Sequence, residues 1–219
     1  MGTDATDEHT VTVLVAGDPE FGDTLRVPRR DLTVVARVTT GNDAIDVVLR
    51  ELPDVLLLDV RIEDTDARGV CRRVREWAPA TKVVAATPLD DERAYTTIVA
   101  GASGAITLGA DDEATTRVVR EVARGESVLL ARMASRLMHD LDAWARRAAD
   151  PIHPPPTLTA TEREVLRRIS KGADPAEIAR IHAVTTHLVN LHTGFAVAKL
   201  HRYVLGAERI AAEGQSTAG

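Results

Sequence analysis

The sequence has few of the features that define secreted or membrane proteins. Its single cysteine, Cys71, cannot form an internal disulfide, which is typical of a reducing compartment. No apolar run approaches the roughly 18 residues that a membrane-spanning helix needs. The acidic start, MGTDATDEHT, has no signal-peptide core. These absences predict a soluble cytoplasmic protein without a membrane segment.

Motifs of the common enzyme classes are also missing. The chain has no GxxxxGK[ST] phosphate loop, no HExxH zinc motif and no paired-carboxylate motif. The GASGA stretch at 101–105 lacks the spacing of a G-x-S-x-G nucleophile turn. The sequence therefore predicts a protein that is not an enzyme.

The length and the charge distribution indicate two domains. A chain of 219 residues is long enough for two domains. Its net charge is −6, and the excess of acids lies before residue 157, because 157–219 is weakly basic. The PIHPPP stretch at 151–156 marks the boundary, since consecutive prolines form a stiff, extended spacer. The predicted parts are a disordered tail, a front domain, a helical and Pro-rich linker, a rear domain and a second disordered tail, at 1–10, 11–126, 127–156, 157–212 and 213–219.

The front domain alternates short apolar runs with helical patterns. Near-continuous apolar runs are typical of strands buried on both faces, as a parallel sheet requires. Five predicted strands lie at 11–16, 32–38, 54–60, 82–86 and 104–107. Helices are predicted near 20–27, 41–51, 66–77, 91–101 and 111–124. Strict alternation predicts a doubly wound, flavodoxin-like α/β fold with a five-stranded parallel sheet, which binds ligands at the carboxyl ends of its strands.

The residues at those strand ends resemble the response-regulator receiver domain. They are Gly17 and Asp18 after the first strand, Asp59 after the third, Thr87 after the fourth and Leu108 after the fifth. The resemblance implies that Asp59 is the phosphoacceptor and that Asp18 and Asp59 hold Mg²⁺. It also implies that Thr87 contacts the phosphoryl group, and that a histidine kinase is the partner that supplies it.

This chain departs from the receiver pattern at two places in that pocket. Gly17 stands where such receivers carry a first metal-binding acid, and Leu108 stands where they carry a lysine that pairs with the phosphate. Both losses weaken phosphoryl binding, because charge-assisted bonds contribute about 1.5–3 kcal/mol each. We therefore favour an atypical receiver without conventional phosphorylation. Glu63 as a substitute acid, and a small-molecule ligand in the room left around Gly17, Asp59 and Leu108, remain open.

The linker begins with a stretch that predicts an amphipathic helix. Its apolar residues recur at helical spacing at Leu130, Met133, Leu137, Leu141 and Trp144. The apolar face of this helix is expected to dock on either domain or on a second chain.

The stretch from 158 to 200 contains three closely spaced helix starts. Thr159 and Glu162 form a capping box, Asp174 precedes Pro175 as an N-cap, and Thr185 is the natural N-cap of a third segment. Three short helices of this kind favour an all-α helix-turn-helix domain. The LT-x-x-E-x-EVL pattern and the spacing of His192 to Lys199 resemble the DNA-binding domain of LuxR/NarL/FixJ regulators.

That resemblance implies a recognition helix at 186–200 and a fourth, dimerising helix after Leu200. Asn190 stands where the family commonly has a lysine, and Asn can bond adenine bidentately. His187, Asn190, Leu191 and Gly194 are predicted to turn outward, and glycine at 194 lets another backbone approach closely. The predicted DNA-binding residues are Thr185, Thr186, His187, Asn190, Leu191, Gly194, Lys199 and Arg202.

The combined prediction is a transcription regulator that binds double-stranded DNA. It is expected to act as a homodimer, or as a heterodimer with a related response regulator, because paired half-sites multiply a modest affinity. Two alternatives stay open at this point. One is a conventional two-component regulator switched at Asp59, and the other is an interaction protein that sequesters partners without contacting DNA.

Overall fold

The computed structural model describes residues 10–21, 25, 29–88, 92–147 and 156–216, with the side chains of 147 and 208–216 left aside. Five strands lie at Val11–Ala16 (β1), Leu32–Val38 (β2), Val55–Asp59 (β3), Lys82–Thr87 (β4) and Gly104–Thr107 (β5). The helices of the front domain lie at Gly41–Glu51 (α1), Ala67–Trp77 (α2), Glu92–Ala100 (α3) and Asp112–Ala123 (α4). The remaining helices lie at Ala131–Arg147 (α5), Ala160–Ile169 (α6), Pro175–His182 (α7) and Thr186–Ser216 (α8).

The strands form one parallel sheet in the order β2-β1-β3-β4-β5. Alternate residues of each strand enter two hydrophobic clusters on opposite faces: Leu14 and Leu56 lie in one, Val13 and Val55 in the other. Burial on both faces explains the near-continuous apolar runs, and the five-stranded flavodoxin-like prediction is confirmed. All carboxyl ends of the strands meet at one edge.

The predicted helix near 20–27 falls largely outside the described residues. Leu25, which is described, has a φ of 63°, a left-handed conformation that an α-helix does not contain. Its backbone N–H donates to Asp112 Oδ1 at 2.9 Å, and its side chain is buried. The helical prediction is therefore wrong at this residue, because a tertiary contact with α4 takes the place of a helical hydrogen bond.

Helix α5 packs against both domains. Met133, Leu137 and Leu141 are buried in the cluster that also contains the cores of the sheet and of the C-terminal helices. The Tyr95 hydroxyl of α3 donates to Asp140 at 2.8 Å, and Trp144 stacks against Tyr203 of α8. The amphipathic prediction is confirmed, and the stripe docks on two domains at once. The Pro-rich part of the linker, 148–155, lies outside the described residues, as does the tail 1–9.

The C-terminal helices differ from the prediction in one respect. Thr159 and Glu162 form the predicted capping box, and Asp174 caps α7 with Pro175 in its first turn. The recognition helix and the helix after Leu200, however, are one continuous α8 of 31 residues. No proline interrupts 198–207, and the helix continues through Gly206. The tail predicted to be disordered from 213 is helical as far as Ser216.

No helix among the described residues is both long and apolar enough to cross a membrane.

Candidate functional sites: the acidic pocket and the recognition helix

The acidic pocket lies at the carboxyl edge of the sheet. Asp59 ends β3 with only 1% of its surface exposed, while Asp18, just after β1, is exposed. Both line a cavity of about 660 Å³ together with Arg61 and Glu63. Parallel strands bring these side chains together although they are some forty positions apart in the chain.

Arg61 connects the two carboxylates. Its Nη2 donates to Asp59 Oδ2 at 2.6 Å and to Asp18 Oδ2 at 3.1 Å. Its Nε lies 3.0 Å from Asp59 Oδ1, and its backbone N–H donates to the same oxygen at 2.9 Å. The hydrogen bonds that the guanidinium donates to Asp59 hold the pKa of Arg61 above its ordinary value. Sequence reasoning missed this residue; the available signal was an arginine two positions after the strand-end acid.

Gly17 cannot be replaced by an acid without displacing its neighbours. A Cβ at this position would lie 2.4 Å from Phe21 Cδ1 and 2.8 Å from Asp59 Cβ. The Phe21 ring is itself buried against the second hydrophobic cluster. The Phe21 ring therefore fills the room expected directly beside Gly17, while a small ligand in the neighbouring cavity at Asp59 stays a prediction.

Thr87 and Leu108 do not join Asp18 and Asp59. The Thr87 hydroxyl donates to the Pro88 carbonyl at 2.9 Å, and this residue lines a separate cavity of about 430 Å³ between α3 and α5. The Leu108 side chain packs against the hydrophobic cluster beneath α4. Of the predicted pocket residues, Asp18 and Asp59 share one cavity, while Thr87 and Leu108 contact other parts of the fold.

The pocket does not fit a divalent cation. Mg²⁺ is held by carboxylate oxygens and water, and the two carboxylates here are already bonded to a guanidinium. A second cation would sit beside that positive charge, with no first acid at Gly17 to offset the repulsion. Among the described residues, no group of three or more His, Cys, Asp or Glu side chains has the geometry of a metal site.

The predicted recognition helix, the first half of α8, is docked on the front domain through Glu126. The side chain of Glu126 has 0% exposure and accepts from Asn190 Nδ2 at 2.9 Å, His187 Nδ1 at 2.9 Å and Arg124 Nε at 2.8 Å. Burial raises the pKa of Glu126, but the bonds from His187, Asn190 and Arg124 outweigh it and keep that pKa below its usual value. The prediction that Asn190 turns outward is wrong, because its side chain is buried against this carboxylate.

Gly194 lies beside the loop between α4 and α5. A Cβ there would lie 3.5 Å from the Gly125 carbonyl oxygen and 3.6 Å from the Ser127 nitrogen. One turn earlier, the Ser127 N–H donates to the Asn190 carbonyl at 3.3 Å. A second backbone, that of the loop between α4 and α5, therefore lies beside Gly194, but at a distance that also accommodates a Cβ.

The second half of α8 also contacts the front domain. His201 Nε2 donates to the Ile98 carbonyl of α3 at 2.7 Å. Burial lowers the pKa of His201 to about 4, so the imidazole is neutral in this contact. Two separate contacts, at Glu126 and at Ile98, thus fix α8 to the receiver.

The other predicted DNA-binding residues occupy different environments. Thr185 caps α8 through its hydroxyl, which accepts from the Leu188 N–H at 3.2 Å, and His187 and Arg202 are exposed. Lys199 faces the interior of its own domain: its Nζ lies 2.6 Å from Glu162 Oε2 and donates to the Thr157 carbonyl. Its ammonium is committed to this ion pair, which opposes the predicted contact with DNA phosphate. Thr186 and Leu191 are partly exposed.

Comparison with known proteins agrees with this architecture. Residues 21–120 match the family described as the response regulator receiver domain. The response regulator protein VraR of Staphylococcus aureus (strain Mu3 / ATCC 700698) is 27% identical over 175 residues, which cover 78% of each chain. The oxygen regulatory protein NreC of Staphylococcus aureus (strain JH9) is 28% identical over 175 residues, covering 78% of this chain and 81% of NreC.

A solved receiver domain shows the same fold. The signal receiver domain of the response regulator NarL from Mycobacterium tuberculosis superposes with a TM-score of 0.50 at 25% identity, covering 53% of this chain and 98% of that one. The matched residues and the parallel sheet identify the front domain as a response regulator receiver domain, and the chain as a whole is similar to response regulators such as VraR.

Proposed function

We propose that this protein is a cytoplasmic, DNA-binding transcription regulator that acts as a dimer and does not depend on phosphorylation of Asp59. The docking of α8 on the receiver through Glu126 is the observation that carries the proposal. Asn190 and Gly194 must leave the receiver before they can face a base pair, so the receiver controls access to DNA. Mg²⁺ chemistry has no part in this control.

We infer that DNA contacts the exposed part of α8 and its N-cap. Thr185, Thr186, His187, Leu191 and Arg202 present hydroxyl, imidazole, apolar and guanidinium groups. Released Asn190 adds an amide that can bond adenine N6 and N7. Because few cations face outward here, we infer a modest affinity per domain, which pairing with a second copy or a related regulator multiplies.

DNA binding is tested by a gel shift of the full chain on sheared genomic duplex over a range of salt concentrations. We expect the logarithm of the affinity to fall linearly with the logarithm of salt concentration, because released counterions drive binding. Arg202→Ala should reduce that slope by about one, since it removes one phosphate contact. Arg72→Ala, an exposed arginine of α2, is the matched control and should leave the slope unchanged. Absence of salt-dependent binding would support a partner-sequestering protein instead.

Independence from phosphorylation is tested by incubation with acetyl phosphate or beryllofluoride and Mg²⁺. Gly17 offers no second acid, Leu108 offers no cation, and Asp59 is bonded to Arg61. We therefore expect no adduct at Asp59 by intact mass spectrometry and no change in oligomeric state by sedimentation. A conventional response regulator in the same incubation is the positive control. Stoichiometric, Mg²⁺-dependent modification of Asp59 that changes DNA binding would overturn this part of the proposal.

A further inference from the structure

We propose that Arg61 is a built-in cation that takes the place of a divalent metal ion in this receiver. The inference deepens the proposed function and rests on it, because a receiver that is not phosphorylated has no need of an exchangeable ion. Three observations carry it: the bridging geometry of Arg61, the burial of Asp59 and the missing acid at Gly17.

The guanidinium performs the structural task of a bridging cation. Its Nη2 is shared between Asp59 Oδ2 and Asp18 Oδ2, at 2.6 and 3.1 Å, and so joins the ends of two strands. Arginine forms such paired bonds to carboxylates because its planar fork offers several N–H donors in fixed directions. Unlike a metal ion, this cation is covalently attached and does not exchange with solvent.

Burial of Asp59 favours a cation at this position. Asp59 is 1% exposed, and among the described residues Arg61 is the only side chain that donates to it. An ionised carboxylate with no partner in such a place is strongly unfavourable. The Arg61 side chain is itself 43% exposed at the cavity mouth, so the guanidinium closes the carboxylate off from solvent.

The charges around the pocket agree with one resident cation. Two further acids, Glu63 and Asp64, line the same cavity, and Asp64 accepts instead from the backbone N–H groups of Gly41 and Asn42 at the start of α1. With Gly17 in place of an acid, Asp18 and Asp59 are the two carboxylates that Arg61 bonds. Removing Arg61 therefore leaves an acidic pair that attracts a cation from solution.

The test compares divalent-ion binding to the full-length wild type, Arg61→Ala and Arg61→Gln, with Mn²⁺ followed by paramagnetic relaxation and Mg²⁺ by calorimetry. We expect weak, non-saturating binding to the wild type, and a gain in affinity of about tenfold or more in both variants, because a neighbouring positive charge is gone. Adding Asp59→Asn to either variant should abolish the gain. Arg68→Ala, an exposed arginine of α2, is the matched control and should behave as the wild type.

Folding is followed in the same samples by thermal unfolding with and without Mg²⁺. We expect Mg²⁺ to raise the melting temperature of Arg61→Ala and Arg61→Gln and to leave that of the wild type unchanged, since a ligand stabilises only the state that binds it. Saturable Mg²⁺ binding by the wild type would overturn the inference, and so would a variant that folds but shows no gain in affinity for divalent ions. Modification of Asp59 by acetyl phosphate is the separate result that overturns the proposed function, so the two failures are distinguishable.

Discussion

Replacing Glu126 with alanine is expected to raise the affinity of the full chain for duplex DNA by about 30-fold. Truncating one partner of a buried, hydrogen-bonded charged group costs about 2–5 kcal/mol, and each 1.4 kcal/mol is a factor of ten. Here the truncation removes the Glu126 acceptor of the buried Asn190 amide and frees His187. Since apparent affinity scales with the fraction of molecules whose recognition helix is free, weaker docking means tighter DNA binding.

The measurement is fluorescence anisotropy with labelled duplex at fixed salt, together with small-angle scattering of the free protein. We expect a larger radius of gyration for Glu126→Ala and a smaller effect for Glu126→Gln, which keeps an acceptor oxygen. Glu113→Ala is the control, because Glu113 is an exposed acid on the adjoining helix α4. If Glu126→Ala binds DNA no better than Glu113→Ala, the receiver does not control the recognition helix through this carboxylate.

The two contacts that dock α8 on the receiver differ in the free energy that it costs to break them. Glu126 is a charged hub for three donors, while His201 contributes one neutral hydrogen bond to the Ile98 carbonyl. A buried charge that loses its partners is more costly than a neutral group that does so. We therefore expect the hydrogen bonds of Glu126 to contribute most of the free energy of docking. The His201 bond is expected to contribute less and to position the second half of α8.

Replacing Lys199 with alanine is expected to destabilise the C-terminal domain by about 3–5 kcal/mol, the usual cost of leaving one member of a buried ion pair uncompensated. Glu162 is 3% exposed, and its carboxylate receives both the Lys199 ammonium and the Thr159 N–H of the capping box. Urea denaturation followed by circular dichroism gives the free energy of unfolding. Lys171→Ala removes an exposed lysine from the same domain and should change this free energy by less than about 0.5 kcal/mol.

The double variant Lys199→Met/Glu162→Gln separates an ion-pair role from a DNA-contact role. Because both charges are removed together, it should recover much of the stability that Lys199→Ala loses. Equal stability of Lys199→Ala and Lys171→Ala, with a reduced salt slope in DNA binding only for the former, would instead assign Lys199 to a phosphate contact.

The same ion pair gives the unfolding free energy a defined dependence on pH. Burial raises the pKa of Glu162, but the bonds from Lys199 and Thr159 outweigh it and hold the pKa below its ordinary value. A carboxyl whose pKa is lowered in the folded state stabilises the fold above its unfolded pKa, and this contribution is lost as the pH falls through the folded pKa. In Lys199→Ala, the free energy of unfolding should therefore decrease less as the pH is lowered.

Sequence reasoning succeeded where the deciding interactions are local. The apolar runs fixed the five strands because burial on both faces demands them, and the parallel order brought Asp18 and Asp59 to one edge. The N-caps Thr159 and Asp174 were predictable because each bonds a backbone N–H three residues ahead. Leu25 escaped prediction, since its backbone is bonded to Asp112 in α4, 87 positions away.

The amino-acid sequence by itself determined a receiver fold, a capped set of C-terminal helices and a pocket short of one acid and one lysine. Only the tertiary structure decided where Arg61 and Asn190 point. The guanidinium turns back over Asp59 because burial leaves that carboxylate in need of a cation, and Asn190 turns inward because Glu126, 64 positions earlier, lies buried beneath it. Both pairings depend on which charges the folded chain removes from water. Arg61 and Asp59 are only two positions apart, whereas no local pattern records the pairing of Glu126 with Asn190.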